Sequence, residues 1–278
     1  MKQFLKQKNV LVSFGVIGIV ALIAVSASYS FFADTEESTA NTFTAGGVDL
    51  QVDNQSHYNG LDCQGGIWVN NCDPQSACTS ELEGETCDGT WSLTDLGPSH
   101  KFFNFNDLKP GDFGEATISL HVSDNDSYVC AIIDNLHNDD LGLTGPEQAA
   151  GDDTDGLGNG ELAEQVYFFA WADDGDNIWE AGEAPLFSNL YGPASDVLAG
   201  VTYELFIPAT GAMPAGTTNY LGIEWCFGEM TVDSNQHTVT CDGSTVSDVT
   251  QTDKLTADIT FYIEQSRHNQ NFVCPETL

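Results

Sequence analysis

The segment WADDGDNIWEAGE, residues 171–183, carries the densest chemistry in the chain. Calcium takes six to eight oxygen ligands, and a loop with acids at alternate positions, one backbone carbonyl and a terminal carboxylate supplies them. Counted as a twelve-residue EF-hand-like loop, Asp174, Asp176, Ile178 through its carbonyl, Glu180 and Glu183 fall at positions 3, 5, 7, 9 and 12. Ala172 then stands at position 1, where an aspartate is expected, and Asp173 takes that role if the loop is one residue shorter. Asn177 occupies the usual glycine position, and Asn tolerates the left-handed backbone needed there. The expected ligand set is therefore Asp173, Asp174, Asp176, Ile178, Glu180 and Glu183, binding Ca²⁺ at the ~10⁻⁴ to 10⁻³ M of extracellular modules. The competing reading is an acidic turn that only solvates the surface. A second run, GDDTDGLGNGE, offers Asp152, Asp153, Asp155 and Glu161, with glycines that equally suit a flexible loop.

The elements that would position these loops read as strands. Ala116, Ile118, Leu120 and Val122 alternate with Thr117, Ser119 and His121, and Ala257, Ile259, Phe261 and Ile263 alternate with Asp258, Thr260 and Glu264. Further apolar runs cover 128–133, 166–171, 201–207 and 220–227, with Gly, Pro, Asn and Asp between them. No amphipathic helix exceeds three turns. The pattern predicts an all-β chain, a jelly-roll-like β-sandwich with long disulfide-tied and acidic loop insertions. Residues 62–91 read as a Cys-rich insertion rather than core strand, and 138–161 and 172–183 as acidic surface loops.

Lys2, Lys6 and Lys8 precede an apolar run and then small residues, the layout of a secretory signal over residues 1–29 that export would remove. An uncleaved membrane anchor is the alternative. Three of the seven basic residues and none of the 42 acids lie in that segment, so the remainder carries 4 − 42 = −38. Such charge excludes nucleic acid and anionic membrane as partners, apart from transient membrane contact through the signal. Hydrophobic residues at 41% still suffice for a core if cations screen the repulsion. All eight cysteines (Cys63, Cys72, Cys78, Cys87, Cys130, Cys226, Cys241 and Cys274) follow the signal. An even count without C-x-x-C favours disulfides, and no zinc is expected. Cys226 and Cys241 flank a hairpin with its turn near 233–235, and bridging them is one connectivity among the many that eight cysteines allow.

The stretch FFADTEESTANTFTAGGVDLQV, residues 31–52, resembles the mature start of the TasA and camelysin family. The matching positions are Phe31, Phe32, Asp34, Thr35, Glu36, Ser38, Asn41, Phe43, Ala45, Gly46, Asp49 and Leu50. NDLKPGD at 106–112 and the segments IEWCFGEM, CDGS and QSRHNQNFVC are similar to further parts of that family, while 54–100 is not covered. The resemblance implies a jelly-roll subunit of extracellular biofilm-matrix fibres, exported by a SipW-type signal peptide. In such a fibre the N-terminal strand, residues 30–52, would complete the sheet of a neighbouring copy, and 53–278 would form the sandwich domain. Phe31, Phe32, Phe43, Val48 and Leu50 are then the expected assembly residues, each burying apolar surface at ~25 cal/mol per Å² in a head-to-tail homopolymer. The alternative keeps 43–52 within its own sheet.

Camelysin gives its name to a peptidase classification, so a secreted metalloendopeptidase is a rival reading. Zinc peptidases need clustered imidazoles and a general base. His57, His100, His121, His137, His237 and His268 are scattered, no H-E-x-x-H occurs, and His137 with Asp139 and Asp140 is the nearest approach. A non-enzymatic role is expected. A third reading is a monomeric Ca²⁺-binding surface adhesin that presents Trp68, Trp91 and Trp179 to a polymer.

Overall fold

Alternating burial in residues 50–58 sets the frame: Leu50, Val52, Asn54, Ser56 and Tyr58 point inward while the intervening residues stay more open. The computed structural model describes residues 33–37, 47–71 and 81–278. Phe31, Phe32, Phe43, Cys72 and Cys78 lie outside the described residues, as does the expected signal segment.

In chain order the strands begin β1 (Ala33–Glu37), β2 (Leu50–Tyr58), β3 (Leu61–Gln64), β4 (Ile67–Val69), β5 (Trp91–Thr94), β6 (Phe113–Val122) and β7 (Ser127–Asp140). Two short helices follow, α1 (Gly145–Ala150) and α2 (Leu162–Gln165), then β8 (Val166–Asp173), β9 (Tyr191–Pro193) and α3 (Ala194–Val197). The chain continues with β10 (Val201–Phe206), β11 (Thr217–Phe227), β12 (Glu229–Asp233), β13 (Thr238–Asp242) and β14 (Asp253–Gln265). One antiparallel sheet has the order β1-β14-β7-β10; the larger runs β4-β3-β2-β6-β11-β8-β9, with β5 also on β2. They pack as a sandwich. Leu50, Val52, Ile118, Leu120, Val122 and Leu221 of the large sheet meet Val129, Ala131, Phe261 and Ile263 of the small one.

Among the described residues, three disulfides tie this frame together: Cys63–Cys87, Cys130–Cys274 and Cys226–Cys241. They are the mark of an oxidising environment. The last joins β11 to the β12–β13 hairpin, whose turn is held where Asp233 Oδ1 accepts from the Asn235 amide at 2.8 Å. Cys130–Cys274 pins the C-terminal segment against β7, where Phe272 stacks on Tyr128 with ring centroids 5.1 Å apart.

Three expectations are corrected. Val48 and Leu50 do not wait for a neighbour: both are buried in this subunit's own core. The reason is that β2 is paired on both sides, with β6 along its whole length and with β5 and β3 on the other edge. A boundary between residues 52 and 53 would cut through that strand. Residues 62–91 are more than an insertion, because they supply β4 and most of β3, and Cys63 and Trp68 are buried. Strands of three or four residues contain too little alternation to be recognised. Finally, 138–161 is not a plain surface loop, since β7 runs on to Asp140 and Glu147 of α1 is fully buried.

Gly222 shows how closely the strands pack. It faces Trp171 across the β11–β8 pair, and a Cβ there would lie 2.2 Å from the indole ring, which is itself buried. Gly222→Ala must displace that rigid ring, and overpacking of this kind costs ~1–3 kcal/mol or more. Urea unfolding of the variant should show that loss as a lower midpoint with an unchanged slope.

Candidate metal centre

The acidic loop leaves the large sheet at Asp173, the last residue of β8, and returns along the same strand. Ala172 donates its amide to the Ala184 carbonyl at 2.9 Å and Leu186 donates to Ala170 at 2.8 Å, closing the neck. Between these points Trp179 is buried edge-on against Phe169, centroids 4.6 Å apart, and meets His237 of the hairpin turn at 5.0 Å. This small outer core, with Trp171, Cys226 and Met230, holds the loop against the sheet. The adhesin reading required exposed tryptophans, yet Trp68 and Trp179 are buried and Trp91 packs on Phe102.

Within the loop, Asp173, Asp174 and Asp176 each offer a carboxylate oxygen, all within 4.8 Å of one another, so this group could hold a metal ion. The other expected ligands serve differently. Glu183 accepts the Asp174 amide at one oxygen and the Glu180 amide at the other, both at 2.9 Å, which makes it a clamp across the loop. Burial, with the charges of Asp173 and Asp174 adding to it, raises its affinity for a proton despite those amides. Glu180 is exposed and stands outside the group of three, and the exposed Ile178 side chain has no bearing on the role expected of its carbonyl. Asp173 Oδ2 accepts amides from Gly175 and Asn177, and Asp176 Oδ1 accepts that of Ile178. Asn177 has φ 61°, the left-handed turn its type allows.

Asn177 also locks the loop onto an arrangement that the sequence reading missed. Its amide donates to Glu115 Oε2 at 2.8 Å and lies 3.2 Å from His57 Nδ1. His57, Glu115 and Glu224 are cross-strand neighbours on β2, β6 and β11. Burial and then the neighbouring Glu115 charge push Glu224 up to about 8. Burial, then Asp62, pushes Glu115 up to about 6. His57 is held below its ordinary value by burial, partly offset by Asp62 3.4 Å away. The available signal was a charged residue inside the apolar run YLGIEWCF. A further carboxylate group, Asp140, Glu147 and Asp253, also went unseen because it comes from three separate segments.

Among the described residues, the two groups of side chains close enough to share an ion contain carboxylates and no histidine. His137 does not join Asp140 in either. No family model matches the chain and no curated protein matches it.

A carboxyl whose proton affinity is raised on folding stabilises the fold while protonated and ceases to do so as pH rises through its folded value. Glu224 therefore contributes a loss of stability between about pH 4.5, its ordinary value, and about 8. The loss is on the order of 1.4 kcal/mol per pH unit at most. Glu224→Gln should flatten the fall in Tm across that window and raise Tm at pH 8.5, read by calorimetry in a series of buffers.

Proposed function

We propose that this chain is the exported structural subunit of an extracellular fibre, a jelly-roll-like domain that receives the N-terminal segment of a neighbouring copy along β14. The observation that carries the reading is the placement of β1. Among the described residues its five pair only with β14, Ala33 opposite Glu264 through Glu37 opposite Thr260, at the rim of the small sheet. Nine residues, 38–46, separate it from the next described part of the chain. At ~3.3–3.6 Å per residue such a tether reaches ~30 Å, enough for the same strand to be laid on a neighbour's β14 instead. Exchange of an identical element between copies is a low-cost route to association, and head-to-tail exchange that does not close gives a filament.

The chemistry of the edge supports the reading. An unpaired strand presents a row of free amides and carbonyls, and an added strand satisfies them with main-chain hydrogen bonds. Phe31 and Phe32, immediately before β1, are the apolar residues that would seat in the neighbour, with Phe43 in the tether. Val48 and Leu50 belong to the receiving domain. Removal of residues 1–29 on export frees the segment and confines assembly to the outside of the cell. The disulfides accord with that compartment, and among the described residues no helix is long and apolar enough to cross a membrane. Ca²⁺ is the ion assigned to the 173–183 loop, whose all-oxygen donors suit it better than a peptidase zinc. The role is structural rather than enzymatic.

Deleting residues 30–39 from the signal-cleaved protein should abolish filaments in negative-stain images while leaving a monomer that melts cooperatively, because the two sheets meet through core residues from Val48 onward. Filaments of unchanged appearance after the deletion would rule out strand donation.

A further inference from the structure

At the end of the small sheet far from β1, acids from five places are folded into one pocket of charge. Asp140 ends β7, Asp253 begins β14, and the two are cross-strand partners. Glu147 lies in α1, Asp152 follows it, and Glu161 precedes α2. Asp140 is 2% exposed, Glu147 0% and Asp152 8%. None of the five is paired with a basic side chain among the described residues.

Glu161 apart, the carboxylates divide their oxygens in the same way. One oxygen is held locally in four of them: Asp140 Oδ1 accepts the Gly142 amide at 2.7 Å, and Asp152 Oδ1 accepts the Thr154 amide at 3.0 Å. Asp253 Oδ2 accepts the amides of Glu161 and Leu162 at 2.6 and 3.0 Å, and Glu147 Oε2 accepts the Thr144 amide in a capping box. The other oxygen has no partner at all: Asp140 Oδ2, Glu147 Oε1, Asp152 Oδ2 and Asp253 Oδ1 are buried and unbonded, and so is Glu161 Oε2. Burying one unpaired carboxylate costs several kcal/mol, and five together would be disruptive unless a cation joined them.

We propose that a divalent cation, Ca²⁺ by its ligand chemistry, binds among Asp140, Glu147, Asp152, Glu161 and Asp253, at a site separate from the 173–183 loop. Asp140, Glu147 and Asp253 each offer an oxygen, and these lie within 4.8 Å of one another. Oxygens around one Ca²⁺ at ~2.4 Å are separated by at most ~4.8 Å, and carboxylates are the donors that hard cations select. The mutual repulsion also shows in proton affinity. Burial first, then Asp152, Asp253 and Asp140, push Glu161 up to about 7. Burial, with Asp140 and Glu147 adding to it, pushes Asp253 up to about 6 against the two amides that oppose the shift. The ion would staple the ends of β7 and β14 to α1 and the start of α2, whether or not the subunit enters a fibre.

The test uses chelator-stripped, folded protein titrated with Ca²⁺, or with Mg²⁺ at equal ionic strength, by calorimetry and thermal melting. Three proteins are compared: the unaltered protein, an Asp173→Asn, Asp174→Asn, Asp176→Asn loop variant, and an Asp140→Asn, Asp253→Asn variant. The loop variant should still bind one Ca²⁺, and its Tm should rise by about 3–6 °C at ten times the dissociation constant. The Asp140→Asn, Asp253→Asn variant should bind at least tenfold more weakly at this site, while its Tm without Ca²⁺ equals or exceeds that of the stripped unaltered protein. A loop variant without Ca²⁺ binding or a Tm rise overturns the proposal, even if the second variant fails to fold. So does a folded Asp140→Asn, Asp253→Asn variant that binds like the unaltered protein. Failure of the loop assignment alone would instead appear as identical behaviour of the unaltered protein and the loop variant.

Discussion

The antiparallel pairing of β7 with β14 is the constraint on which the rest of the architecture turns. It runs from Ser127 opposite Gln265 to Asp140 opposite Asp253, and both ends have consequences. Through its middle, Val129, Ala131, Phe261 and Ile263 close the core against the large sheet. At one end the outer side of β14 carries β1; at the other, two acids are brought face to face. A single irregularity makes this possible. The register shifts between Thr256 and Asp258, where Asn135 takes φ 51° and its amide donates to Asp258 at 2.9 Å. A β-bulge of this kind adds one residue and re-aims the strand beyond it, so residues past 134 leave the apolar core and the ladder can end in carboxylates.

Charge is the second thread. A chain with 42 acids and seven basic residues cannot neutralise itself, and the fold distributes the excess unevenly. Most acids face water, where screening makes their repulsion small. A few are taken inside, and there the protein either protonates them, as with Glu224 beside Glu115, or crowds them around a point where a cation fits, as with Asp140, Glu147 and Asp253. The two solutions sit in different parts of the sandwich. The first holds the 173–183 loop to the face of the large sheet through Asn177, and the second gathers the ends of the small one.

Much of the β-sandwich was legible because its long strands alternate. Ala116, Ile118, Leu120 and Val122 bury the expected face, as do Phe261 and Ile263, and Cys226 and Cys241 join around the hairpin read between them. What was hidden has a physical reason in each case. Strands β3 and β4 are too short to show a period. Leu50 has the same alternating environment whether it pairs within its own sheet or a neighbour's, so the local pattern does not distinguish the two. The buried acids were invisible because Asp140, Glu147 and Asp253 are up to 113 residues apart, counted from 140 to 253, and only the β7–β14 register unites the first with the last. In the 173–183 loop the spacing rule picked out a segment whose Asp173, Asp174 and Asp176 could hold an ion, but it did not show that Glu183 accepts two backbone amides.

The central claim is that the strand lying on β14 belongs to another copy when the protein assembles. Thr35 and Tyr262 are directly opposite in the β1–β14 pair, and antiparallel partners have Cα atoms ~4.5–5.5 Å apart, within the ~4.4–6.8 Å that a disulfide spans. Two differently tagged populations, one with Thr35→Cys and the other with Tyr262→Cys, should be mixed, oxidised under assembly conditions and resolved by tag-specific detection. The account predicts a mixed-tag disulfide product that accumulates as filaments form. If no mixed product appears, while a Thr35→Cys, Tyr262→Cys double variant closes the bridge within a single chain, β1 belongs to its own subunit and the strand-donation account is wrong.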